Sequence, residues 1–109
     1  MAYIYMSLDV LKREFVPKFL IIGKEKFYKF LLVFATNKLM LINKGTYNGI
    51  YPDLEYLEYY DNLIILYRRE GTTELLEMGK LFRRASHRIH RIMIKKDMTK
   101  ENDRFLHAV

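Results

Sequence analysis

The segment FYKFLLVFATNKLMLIN, residues 27–43, decides the predicted fold. Its first part, FYKFLLVFA, is aromatic and almost continuously apolar, which is typical of a central β-strand. The polar residues TNK interrupt it, and LMLIN, residues 39–43, then predicts a second strand. A helix that ran through residues 27–43 would contradict this interpretation.

Short apolar runs separated by turn residues extend the same pattern in both directions. Further strands are predicted for FLIIG, LIILYRR and TTELLEM, residues 19–23, 63–69 and 72–78. KGTYNG, residues 44–49, supplies turn residues that tolerate positive φ, and Glu70-Gly71 fits a two-residue hairpin turn. Residues 19–78 are therefore predicted to form an antiparallel meander.

Two segments within the meander allow a helical alternative. IYPDLEYLEYY, residues 50–60, is either an irregular edge strand or a short helix that begins at Pro52-Asp53. Thr73, with Glu74 and Glu77 after it, could also begin a helix before residue 78.

Helices are predicted on both sides of the meander. Ser7 can cap a first helix, LDVLKREFV, which Pro17 should end. The last helix includes LFRRASHRIHRIMIKK, residues 81–96, and has one apolar arc that is predicted to pack on the sheet. That arc contains Met78, Leu81, Phe82, Ala85, Ile89, Ile92 and Met93. The predicted fold class is thus α+β, in a single domain over residues 1–109 whose polar end, residues 97–109, is expected to fray.

The charge is distributed very unevenly. The net charge of the chain is +6, and Leu81–Lys96 alone contains six Lys and Arg and no acid, so the other 13 basic and 13 acidic residues balance. DLEYLEYYD, residues 53–61, is an acidic block without a base: Asp53, Glu55, Glu58 and Asp61. The chain has no cysteine and no apolar run long enough to span a bilayer, and a cytoplasmic protein without cofactors is expected.

The polar side of the last helix is the candidate partner-binding site. The candidate residues are Arg83, Arg84, His87, Arg88, Arg91 and Lys95. His87 and His90 have a spacing that could share a zinc ion, but the neighbouring arginines would repel a dication, so two solvated histidines are expected instead. RRAS, residues 83–86, resembles a kinase site, yet Ser86 lies at the edge of the apolar arc, where a kinase could not reach it.

The order of the predicted elements resembles bacterial PH-like or GRAM-like domains. The similarity covers roughly residues 20–96, with Thr36-Asn37-Lys38 as the turn of the first hairpin and Gly79–Lys96 as the closing helix. The resemblance implies a strand meander closed by a helix, and contact with anionic lipid. The N-terminal helix departs from that family.

Three functions are compatible with the sequence. The first is a small non-enzymatic interaction protein that binds an anionic protein surface or a second copy of itself, through the basic helix and the acidic, tyrosine-rich segment. The second is nucleic-acid binding by the arginine-rich helix. The third is contact with an anionic membrane surface. No cofactor or metal is expected, and no nucleophile, metal-ligand set or phosphate loop indicates an enzyme.

Overall fold

The computed structural model describes residues 11–47 and 49–96, and these residues are almost entirely helical. A π-helical turn, Leu11–Phe15, leads into helix α1, Val16–Asn43. Helix α2 is Pro52–Glu70 and helix α3 is Thr73–Lys95. The described residues contain no β-strand, so the predicted α+β class, the antiparallel meander and the PH-like topology are wrong.

Helix α1 replaces three of the predicted strands because it is apolar on two sides. Phe27, Leu31, Ala35 and Leu39 recur at every fourth position and are buried in the core. Val33, Phe34, Met40 and Leu41 lie on the opposite side and are exposed. With apolar residues on both sides, the sequence lacks the polar interruptions that reveal a 3.6-residue period, so its pattern predicts strands where the chain forms a helix.

Proline and glycine mark the helix boundaries in a different way from the prediction. Pro17 lies in the first turn of α1, where backbone N–H groups have no partner within the helix. The missing N–H of proline therefore costs no hydrogen bond there, and Pro17 does not end a helix. Gly23 interrupts α1 with φ 81° and ψ 172°, a conformation that is essentially restricted to glycine. Ser7, the predicted cap, and the predicted frayed tail at residues 97–109 lie outside the described residues.

Helices α2 and α3 form an αα-hairpin. Pro52 opens α2 in its first turn, as the helical alternative for that segment predicts. Gly71 ends α2 in the left-handed conformation, and its N–H donates to the carbonyl of Tyr67. Glu70-Gly71 is therefore the end of a helix and not the turn of a β-hairpin. The predicted strands on either side, residues 63–69 and 72–78, are helical.

The core lies between the three helices, and the apolar arc of α3 is at its centre. Leu81, Phe82, Ala85 and Ile89 are buried as predicted, while Ile92 is half-buried. They pack against α1 and α2 and not against a sheet. The ring of Phe82 contacts four other aromatic rings, whose centres lie 5.3–5.8 Å away: Phe15, Phe27, Tyr56 and Tyr59.

Candidate functional site

Four of the six predicted site residues form a straight line along α3. Arg84, Arg88, Arg91 and Lys95 are all exposed, and they are spaced by four, three and four residues. At about 100° and 1.5 Å per residue, this spacing places them within an arc of about 60° and over a length of about 16 Å. We call these four residues the basic stripe.

Arg83 and His87 lie beside the stripe and not on it. The guanidinium of Arg83 lies 5.4 Å from the ring centre of Tyr60, on the side of α3 that faces α2. His87 is half-buried, and burial lowers its pKa, with smaller contributions from Arg83, His90 and Arg91.

An aromatic ring supports the first residue of the stripe. The guanidinium of Arg84 lies 4.4 Å from the ring centre of Tyr28 in α1. A cation over an aromatic face at this distance is attracted by about 0.5–1 kcal/mol at an exposed site. This contact favours one orientation of Arg84, and the residue remains exposed.

The far end of the stripe surrounds a shallow depression. Its volume is about 350 Å³, and it is lined by Arg88, Arg91, Ile92 and Lys95. Three of these four side chains are cations, and none is acidic. The depression is large enough for an oxyanion such as a phosphate group, and the surrounding donors suit one.

The carboxylates of the described residues do not neutralise the stripe. Within residues 11–47 and 49–96, ion pairs join Lys12 to Glu70, Lys24 to Glu77 and Lys38 to Glu55, and Nδ1 of His90 contacts the carboxylate of Asp53. None of these pairs includes a residue of the basic stripe. Its four charges consequently remain available to an external anion.

The acidic block contributes to the interior more than to the surface. Asp53 and Glu55 are 2% and 8% exposed. Glu55 accepts hydrogen bonds from Lys38 and from the hydroxyl of Tyr59. Asp53 lies in the first turn of α2, and its Oδ2 lies 2.9 Å from Nδ1 of His90. Two of the four acids in the block are thus used to join helices, and only Glu58 and Asp61 remain half-exposed.

His90 and Ser86 hold the start of α2 against α3. The side chain of His90 is only 17% exposed, so the prediction of a solvated histidine is wrong for this residue. Ser86 is fully buried, and its hydroxyl donates to the backbone carbonyl of Asp53 at 2.6 Å. Ser86, His90 and Asp53 therefore come together, but the hydroxyl is directed at a carbonyl and is closed to solvent, so the cluster fastens two helices together.

Sequence reasoning missed this cluster and the Lys38–Glu55 pair. Asp53 is 33 residues from Ser86 and 37 residues from His90 in the sequence. Glu55 is 17 residues from Lys38, and in each pair the two residues lie on different helices. One signal was present, because Ser86 and His90 are spaced by four residues beside the apolar arc of α3. Polar side chains in that position need a buried partner.

No protein-family model, curated protein or solved structure matches this chain. Nothing therefore supports the resemblance to PH-like or GRAM-like domains. Among the described residues, no helix is long and apolar enough to span a membrane. The described residues also contain no group of three His, Cys, Asp or Glu side chains that could hold a metal ion.

Proposed function

We propose that the protein binds the phosphate backbone of nucleic acid through the basic stripe, without catalysing a reaction. The observation that supports this function is the row of four exposed cations, none of which is paired with a carboxylate of the described residues. Phosphate contacts of this kind carry no sequence information, so the binding is expected to be largely independent of sequence.

A protein partner ranks first from the sequence, on the assumption that the acidic block is a surface. Because Asp53 and Glu55 are buried, that assumption no longer supports a complementary acidic patch. The lipid alternative depended on the PH-like resemblance and on the charge of the helix, and the described residues do not have the PH-like topology, so only the charge still supports it. Nucleic acid is then the best-supported anionic partner, and a cytoplasmic location, which is compatible with the lack of cysteine, belongs to the same proposal.

Salt dependence tests the proposal. If four phosphates are neutralised, log K should fall with log[salt] with a slope of about −3.6, so affinity should fall about 150-fold between 50 and 200 mM salt. We would measure this by fluorescence anisotropy with a labelled DNA duplex, and with RNA and single-stranded DNA of matched length.

A pair of double variants locates the binding site. Arg88→Gln with Arg91→Gln removes two stripe charges, and the slope should fall to about −1.8. Arg68→Gln with Arg69→Gln is the matched control, because these two exposed arginines lie at the end of α2, away from the stripe. The proposal is refuted if both double variants weaken binding equally, or if the wild-type protein shows no salt-dependent binding to any of the three nucleic acids.

A further inference from the structure

The outer side of α1 carries a row of apolar residues that lie largely outside the three-helix core. Val33 is 61% exposed, Met40 54%, Leu41 45% and Phe34 41%. Phe30 belongs to the row but is half-buried against the core, and Asn37 is exposed near the middle of the row. We call these six residues the outer seam. A row of exposed apolar side chains of this kind can mark an interaction site.

The seam has the spacing of a helix-pairing surface. Residues 26, 30, 33, 37, 40 and 44 follow one another at alternating intervals of four and three, and Phe34 and Leu41 widen the row on one side. This is the seven-residue repeat by which two helices pack side by side. The row spans about 27 Å at 1.5 Å per residue, which suits a partner helix of about 18 residues.

The charges on the seam indicate which helix fits. Lys26 and Lys44 occupy the two ends of the row, and Lys29 is exposed beside it. Glu25 is the one acidic residue among residues 24–44, and the ion pairs of the described residues do not include Lys26, Lys29 or Lys44. We propose that the outer seam binds an amphipathic helix of a partner protein whose apolar face is bordered by Glu or Asp.

The same charges make a second copy of this chain a poor occupant. Antiparallel pairing of two seams would place Lys26 opposite Lys44, and parallel pairing would place each lysine opposite its own equivalent. Like charges in these positions disfavour association.

Asn37 favours a helix over a membrane surface. An asparagine within such a row is tolerated between paired helices, where it fixes their register. In a bilayer interface, its amide would be removed from water in the middle of the apolar face with no partner assured. The footprint is also small, about 27 Å by 10 Å, so the complex is expected to be transient.

Two designed peptides test the proposal. Both are about 18 residues long and share one Leu/Ile face; one has Glu beside that face and the other has Lys. Each is labelled and titrated with the full chain, and anisotropy is recorded. The Glu peptide should bind at least tenfold more tightly than the Lys peptide, because only the former complements Lys26, Lys29 and Lys44.

Substitutions then place the binding on the seam. Val33→Ser with Met40→Ser should weaken binding of the Glu peptide at least tenfold, because both side chains lose apolar contact area. Ile65→Ser with Ile94→Ser is the matched control, since these exposed residues lie on α2 and α3, and it should leave binding unchanged. Circular dichroism checks that each variant keeps its helices.

Three results would overturn the inference. The first is that neither peptide binds, or that both bind equally. The second is a mass above that of the monomer in light scattering that returns to the monomer value in Val33→Ser with Met40→Ser. The third is that vesicles of equal parts phosphatidylcholine and phosphatidylserine bind the wild-type chain, while the Glu peptide does not compete.

Discussion

Phe82→Ala should remove a large part of the stability of this protein. Phe82 is fully buried, and four aromatic rings surround it. Truncation of a buried phenylalanine costs about 3–5 kcal/mol, in part because a cavity remains. A domain of this size has a free energy of unfolding of about 5–15 kcal/mol, so Phe82→Ala would lower it by a large fraction.

The neighbours of Phe82 place the expected cost in the upper half of that range. The hydroxyl of Tyr56 donates to the carbonyl of Leu31 at 2.6 Å, and the hydroxyl of Tyr59 donates to Glu55 at 3.2 Å. Because these bonds hold the two rings in place, they cannot move into the space that Phe82 leaves. We therefore expect a loss of about 4–5 kcal/mol.

Urea denaturation followed by circular dichroism measures this loss. Phe34→Ala is the matched control, because Phe34 is 41% exposed and its truncation should cost only about 1–2 kcal/mol. The reasoning about the core is refuted if Phe82→Ala costs no more than Phe34→Ala. A retained cavity should also bind a small apolar molecule such as benzene, and the melting temperature of Phe82→Ala should then rise with benzene concentration.

Three further predictions concern the backbone, a buried ion pair and a histidine. Gly71→Asn should leave the free energy of unfolding nearly unchanged, because asparagine tolerates the left-handed region that Gly71 occupies. Gly23→Asn should cost about 1–3 kcal/mol, because asparagine does not tolerate φ 81° with ψ 172°. Thermal unfolding measures both costs, and equal costs would contradict this reasoning. Lys38→Met should lower the free energy of unfolding, measured in urea, by about 3–5 kcal/mol, because it leaves Glu55 buried without its cation. Lys38→Met combined with Glu55→Met should lower it by less than Lys38→Met alone. The pKa of His87 should lie below 6.5 in an NMR titration, because burial lowers it. Below pH 6.5 the unfolded state then binds more protons than the folded state, so His87 lowers the stability as the pH falls through 6.5. A titration midpoint above 6.5 would show that the burial argument fails.

The sequence predicts α3 well because its two sides are chemically distinct. Every position of its apolar arc is buried or half-buried, and the stripe residues are exposed. Thr73, with Glu74 and Glu77 following, does begin the helix, as the helical alternative for that segment predicts. A helix with one apolar side and one charged side carries its own period in the sequence, so no knowledge of the neighbouring helices is needed.

Helix α1 could not be predicted in the same way, because its outer seam is as apolar as its buried side. Apolar residues such as Val33 and Met40 between the buried positions remove the contrast on which periodicity depends. The acidic block fails for another reason. The burial of Asp53 and Glu55 depends on His90 and Lys38, which lie on other helices, and a local charge pattern carries no information about such distant partners.

The basic stripe destabilises α3 through repulsion between like charges, and this destabilisation is an argument that the stripe has a function. Arg84 and Arg88, Arg88 and Arg91, and Arg91 and Lys95 are neighbours on the helix surface, and each like-charge contact destabilises the helix by about 0.2–0.5 kcal/mol. A single glutamate at position 88 or 91 would replace two repulsive contacts with two attractive ones. Glu77 lies on the same line of the helix, about two turns before the stripe, but its carboxylate pairs with Lys24 of α1. A helix face that served only to be solvated would have no reason to retain three repulsive contacts, whereas a face that binds a polyanion gains from each cation in the row.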